Sequence, residues 1–204
     1  MYRHKILHRD ISVNNILLHG DLGPNHPGGF LIDFDLAIRM DPRANSEAMH
    51  RTGTFDFMAL EVLIAPEGHQ HNPLHDLESF FYVFIWVLMK YPRNREPNSE
   101  DLQKVFHRPA ASDKNPFLTA AVFKQYYMGR RCFAKHVIRV MEEEIQRLLS
   151  PTIRRWWNVT FPPDEEEQVL GPEELEAEQA RSIEERYNQV LEILIHGIAS
   201  LAGA

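Results

Sequence analysis

The sequence predicts a mainly α chain, of α+β type, with one small β-hairpin near its N-terminus. Three observations carry this. Residues 80–89 form a run of ten apolar side chains inside the stretch 76–90, longer than a usual strand, and Pro92 stops it. Residues 117–127, 134–149 and 181–201 repeat apolar side chains at three- and four-residue steps. Two short apolar runs, 15–18 and 30–32, flank a stretch dense in Gly, Pro and Asn, the composition of a long hairpin connection.

Taken in order, residues 15–18 and 30–32 are the two predicted strands, and 35–57 have no sustained period and are expected to be an irregular, largely exposed loop. Residues 76–90 are apolar on nearly all sides, which predicts a helix buried all round. Their β-branched and aromatic content also suits a strand in a sandwich core. Residues 91–116 are polar, with Pro97, Pro109 and Pro116, and predict a loop plus a short helix near 101–105. In 134–149 the apolar positions are Val137, Val140, Met141, Ile145 and Leu148, with Pro151 beyond the expected end. The expected division is a body over 1–163, an acidic linker over 164–178 and a C-terminal helix over 179–204.

Charge sharpens that division. Of a net −7, residues 164–204 hold 11 acids and 2 bases, so the body is close to neutral. A near-neutral body with no basic-aromatic stripe gives no reason to expect nucleic acid as partner. The longest apolar run is too short to span a bilayer, and no secretory leader is visible, so no membrane association is expected. Cys132 is the single cysteine, which excludes an internal disulfide framework and fits an intracellular protein, cytoplasmic or nuclear. His69, His71 and His75 form the densest histidine cluster, but alternate spacing on a polar loop is not by itself a zinc site.

The strongest chemical signal is an ordered set of motifs. His8-Arg9-Asp10 with Asn15 matches H-R-D-x-x-x-x-N, and Asp33-Phe34-Asp35 matches D-F-G with Asp in place of Gly. Thr52-Gly53-Thr54 with Met58-Ala59-Leu60-Glu61 is similar to the end of an activation segment, with Leu60 where proline is usual. His75-Asp76-Leu77-Glu78-Ser79 opens the apolar stretch. Together these residues resemble the fungal-specific protein-kinase-like family over residues ~5 to ~150, and the eukaryotic kinase C-lobe more generally. The resemblance favours the helical reading of 76–90.

It implies an incomplete kinase fold whose chemistry is phosphoryl transfer from ATP with Mg²⁺ to a protein Ser or Thr hydroxyl. Asp10 would accept the hydroxyl proton, and Asn15 and Asp33 would be the metal ligands, since hard cations take oxygen. By the same resemblance Leu17 would lie under the adenine, and His8, Phe34 and Asp76 would stack as a spine. Asp76 would also accept main-chain N–H groups of the catalytic loop, an anion at a helix N-terminus being favoured in any case. Thr54 would hydrogen-bond near Asp10, and Glu61 would pair with a late-helix arginine, Arg130, Arg131 or Arg139. Ser46 or Thr52 would be phosphorylation sites, with Arg9 as phosphate partner.

Several departures limit the implied activity. Ser12 stands where a lysine usually neutralises the transferred phosphate, and Asp35 stiffens a position usually held by glycine. No Gly-rich phosphate loop, V-A-I-K lysine or partner Glu is found in the chain, so the nucleotide-clamping N-lobe is expected to be missing and the isolated chain weak or inactive. Two other readings stay open. One is a non-catalytic kinase remnant that scaffolds a regulatory protein partner. The other is a small-molecule kinase, suggested by Ile32-Asp33-Phe34-Asp35 and Ser12. The oligomeric state is not written in the sequence.

Overall fold

The computed structural model describes residues 4–18, 28–40, 53–66, 69–92, 96, 99–106, 109–110, 112–162 and 172–202, the last helix by its backbone alone at 172–180 and 202. It is mainly helical, in keeping with the sequence. Four short strands come first or nearly so: β1 (Ile6–Leu7), β2 (Ile16–Leu18), β3 (Gly29–Leu31) and β4 (Ile38–Arg39). β2 and β3 form the predicted antiparallel hairpin, with Ile16 opposite Leu31 and Leu18 opposite Gly29. β1 pairs with β4, Ile6 opposite Arg39, so the 35–57 loop is not wholly irregular. Two-residue strands carry no period, so that pairing left no mark in the sequence.

The helices are α1 (Leu60–Ile64), α2 (Pro73–Lys90), α3 (Ser99–Val105), α4 (Pro116–Met128), α5 (Glu143–Thr160) and α6 (Pro172–Ala202). α2 and α4 start the same way. Asn72 and Asn115 are N-caps whose side chains accept helix N–H groups, and Pro73 and Pro116 follow at the first turn, where a missing N–H costs nothing. α2 is less completely buried than its composition predicts. Phe81, Tyr82 and Ile85 are fully enclosed, while Phe80 and Phe84 are half-buried and Val87 is exposed on one face.

Three expectations for the C-terminal part are corrected. The helix expected over 134–149 is instead a π-helical stretch, Phe133–Ile138, then a break, then α5. Pro151 lies inside α5 rather than past its end. It removes one helix hydrogen bond, yet apolar spacing continues beyond it through the buried Ile153, Trp156 and Trp157. Residues 172–178 are helical, not linker, because Glu, Leu and Ala are strong helix formers whatever their charge.

The chain divides into two compact units, residues 1–140 and 141–204, so 141–162 group with α6 rather than with a body running to 163. In the second unit α5 packs on α6. Gly197 permits their close approach: a Cβ there would sit 2.8 Å from Thr152 Oγ1. In the first unit a compact cluster of Met58, Ala59, Val62, Leu63, Ala120 and Ala121 joins α1 to α4, flanked by Phe55 and Phe117. Burying Val62 or Leu63 is worth about 1.5–3 kcal/mol each, so this cluster fixes the 55–64 segment on α4. Among the described residues, no helix is long and apolar enough to cross a membrane.

Candidate active site

The first unit brings the predicted residues of the catalytic loop together. His8 and Arg9 donate their main-chain N–H groups to the two oxygens of Asp76, at 2.7 and 3.0 Å. Asp76 lies buried in the first turn of α2, so one carboxylate ties that helix to the loop. Burial raises its pKa, against the two N–H groups and the nearby charges of His8 and Arg9, which lower it. The tie holds Arg9 in a left-handed conformation, φ 70°, a backbone state that costs of order 1–3 kcal/mol for a side-chain-bearing residue.

His8 is fully buried. Its Nε2 lies 2.9 Å from Ile32 O, and its Nδ1 accepts from Asp10 N at 3.4 Å. Both contacts agree with a ring proton on Nε2. Phe34 meets the same ring edge-on at 4.8 Å. Through His8, the start of the D-F-D turn is thus bonded to the catalytic loop. Arg9 is buried too and donates to Leu36 O at 3.4 Å, and burial lowers its pKa.

Asp10 is the best-held group. Its Oδ1 accepts from Thr54 N at 2.9 Å and Thr54 Oγ1 at 3.0 Å. Asn15 Nδ2 donates to Asp10 O at 2.8 Å and Oδ2 at 3.2 Å. Gly53, at φ 120°, makes the approach possible, since a Cβ there would lie 3.0 Å from Arg9 O.

With its amide nitrogen turned to Asp10, Asn15 has its side-chain oxygen left for another partner. Asp33 follows Ile32, whose N–H donates to Asn15 O at 2.9 Å, so the hairpin brings the chain at Asp33 next to the Asn15 main chain. Asp33 is exposed and has φ 61°, a state Asp tolerates better than most residues. An amide oxygen and an exposed carboxylate form a donor set that suits magnesium.

Residues 1–88 match the family model described as fungal protein kinase. Over that stretch the chain is fungal-protein-kinase-like. A 57-residue stretch, 28% of this chain, is 42% identical to an Arabidopsis thaliana protein described as an L-type lectin-domain containing receptor kinase, and it spans 8% of that protein's length. The fungal-protein-kinase-like segment holds Asp10, Asn15, Asp33 and Asp76 along with α1 and nearly all of α2.

Leu17 is 51% exposed on β2 and forms one open wall. Ser12 is buried and offers no cation. Ser46 and Thr52 lie outside the described residues. Glu61 is not in a buried arginine pair. Its side chain is 56% exposed, and its ion-pair partners among the described residues are His75 at 2.9 Å and His69 at 3.4 Å. The arginine expectation came from a late helix, whereas the loop before α2 and the first turn of α2 deliver His69 and His75 to the same place.

Within that cluster His75 is the hydrogen-bonded ring, while both ring nitrogens of His71 and Nε2 of His69 are buried without a hydrogen-bond partner. Asn72 N donates to His75 Nδ1 at 3.1 Å, so the ring proton sits on Nε2 and goes to Glu61 Oε2. Burial lowers the His75 pKa against the opposing pull of Glu61. Burial, followed by the charges of His75, Arg9 and His69, lowers His71 to about 3, so it stays neutral.

Sequence reasoning missed Lys124. It is buried in α4, donates to Met58 O, and lies 4.1 Å from the centre of the Tyr82 ring. Burial brings its pKa down to about 7, with Glu78 and Asp56 acting in the opposite direction. One signal was available: Lys124 falls in step with Ala120 and Met128 at four-residue spacing, on the buried side of α4.

Proposed function

We propose that the chain carries the catalytic-loop half of a protein kinase site, a C-lobe, whose chemistry is phosphoryl transfer from ATP to a protein Ser or Thr hydroxyl. The observation that carries this reading is the Asp10 carboxylate, gripped by Thr54 and Asn15 on a loop that Asp76 holds from below. A carboxylate fixed this way can orient a hydroxyl and take its proton. The hydroxyl oxygen then bonds to the γ-phosphorus as the bond to the β-phosphate oxygen breaks, leaving ADP. Asn15 and Asp33 would hold magnesium, which when bound neutralises phosphate charge. Thr54 keeps the carboxylate turned toward the hydroxyl, and the 53–61 segment seats the peptide that carries it.

The isolated chain is expected to turn over weakly or not at all. Ser12 supplies no cation for the transferred phosphate, and the wall at Leu17, Phe30 and Phe34 is open to water. The same exposure favours a second reading, a non-catalytic module that binds a regulatory protein. Thermal shift with ATP, with and without magnesium, separates the two. A magnesium-dependent rise that Asp33→Asn removes supports the kinase reading; no rise supports the binding module. Transfer to small hydroxyl compounds in preference to peptides would overturn the protein-substrate assignment. Robust Asp10-dependent turnover would overturn the weak-activity claim.

A further inference from the structure

We propose that Lys124 and Glu78 form a two-sided clamp on the main chain around Ala59, and that this clamp sets the 54–60 segment against Asp10. It would do the work that the resemblance gives to Glu61 and an arginine. The inference rests on the kinase-like reading of that segment.

The segment has two fixed ends. At one, Thr54 bonds Asp10 through both its N–H and its hydroxyl. At the other, Met58 O accepts from Lys124 Nζ of α4, and Leu60 N donates to Glu78 Oε1 of α2 at 2.8 Å. Two oppositely charged side chains from two helices therefore hold the polar main-chain groups on either side of Ala59. Tyr82 stands between them, its hydroxyl donating to Glu78 and its ring facing the ammonium. The ends are joined by a tight turn in which Phe57 N and Met58 N both donate to Thr54 O at 2.9 Å. A shift at the clamp must then move Thr54, and with it the Asp10 carboxylate.

Packing alone does not account for a lysine here. An apolar side chain would fill the space without desolvating an ammonium. What it would lack is a donor for Met58 O, which lies in the α1–α4 cluster away from water. The charges facing Lys124 are Glu78 of α2 and Asp56 of the segment itself; Glu78 in turn faces Tyr82 and Glu61. Glu61 is exposed and bonded to histidines, so it is not the anchor.

The test is amide hydrogen exchange on the full chain, comparing Thr54 and Leu60 with Ile85 in the middle of α2. Lys124→Met should raise exchange at Thr54 and Leu60 by about tenfold more than at Ile85, the factor of one lost buried hydrogen bond. Lys124→Arg, which keeps a charged donor, should recover most of that protection. Should Lys124→Met fail to fold, Glu78→Gln supplies the same comparison through Leu60. Equal acceleration at all three amides, or no recovery with arginine, would overturn the clamp. Failure of the kinase reading is a separate result, the absence of magnesium-dependent nucleotide binding with the clamp amides still protected.

Discussion

The tie between α2 and the catalytic loop can be tested at Asp76. Asp76→Ala leaves the main-chain N–H groups of His8 and Arg9 with no acceptor in a site where the carboxylate is 3% exposed. An orphaned buried donor costs about 1–3 kcal/mol, so two cost about 2–6. Loss of an anion from the first turn of α2 adds a few tenths to about 1 kcal/mol. Relief of a buried charge works the other way, because burial raises the Asp76 pKa. A raised pKa means that ionisation weakens the folded state. That contribution to stability is full below the unfolded value of 3.8 and is lost as pH rises through the higher folded value. The net expectation near neutral pH is a loss of about 2–4 kcal/mol, large against the ~5–15 kcal/mol of a typical domain. Urea unfolding with an unchanged slope measures it, and Asp76→Asn should fall between wild type and alanine. The local signature is faster exchange of the His8 and Arg9 amides. A loss under about 0.5 kcal/mol, or one without that signature, would refute the tie.

Three further outcomes follow from particular contacts. The folded pKa of Lys124 is about 7, below its unfolded 10.5, so the unfolded state binds more protons between them. Stability from this group therefore rises with pH across that window, by up to ~1.4 kcal/mol per unit, and is at its lowest below pH 7. Urea titrations of wild type and Lys124→Met should diverge in favour of wild type as pH rises from 7 to 10, and parallel curves would count against it. Gly53→Ala places a Cβ 3.0 Å from Arg9 O at φ 120°, so it should lower stability by about 1–3 kcal/mol; a neutral result in the same unfolding assay would show that the turn relaxes. Gly197→Ala should cost about 1–3 kcal/mol through its 2.8 Å approach to Thr152 Oγ1, and adding Thr152→Ala should recover most of it in a double-mutant cycle.

The parts of the site that depend on residue type at fixed spacing were legible in the sequence. His8, Asp10, Asn15 and Asp33 follow one another in order, with apolar runs that had to be strands, and the hairpin joins them as expected. α2 was legible from an apolar run longer than a usual strand together with the motif that opens it, since composition alone also suited a core strand. What escaped was decided by partners distant in sequence. Nothing near Glu61 says that histidines rather than an arginine will reach it. Lys124 looks like an ordinary helix lysine until α1 is laid against α4. Pro151 reads as a stop, but the apolar face continuing through Ile153 and Trp157 overrides one missing hydrogen bond. The π-helical turn at Phe133–Ile138 keeps Phe133, Val137 and Ile138 buried, so apolar spacing alone could not separate it from an α-helix.

The two halves of the candidate site are held to different degrees, and the difference bears on function. Asp10 is fixed by Thr54, Asn15 and, through the loop, Asp76, whose bonds are largely shielded from water. The side proposed for nucleotide is one short hairpin and the turn after it, with Leu17 51%, Leu18 84%, Phe30 43% and Phe34 46% exposed. Preorganisation helps a transition state only where the donors need not reorganise, and that condition is met at Asp10. At the hairpin, apolar side chains facing water make poor walls for a charged ligand, because solvent screens its contacts. Covering this surface would bury apolar area and raise the strength of the Asp33 and Asn15 contacts at once. A covering surface should therefore strengthen nucleotide binding while leaving the Asp10–Thr54 geometry unchanged.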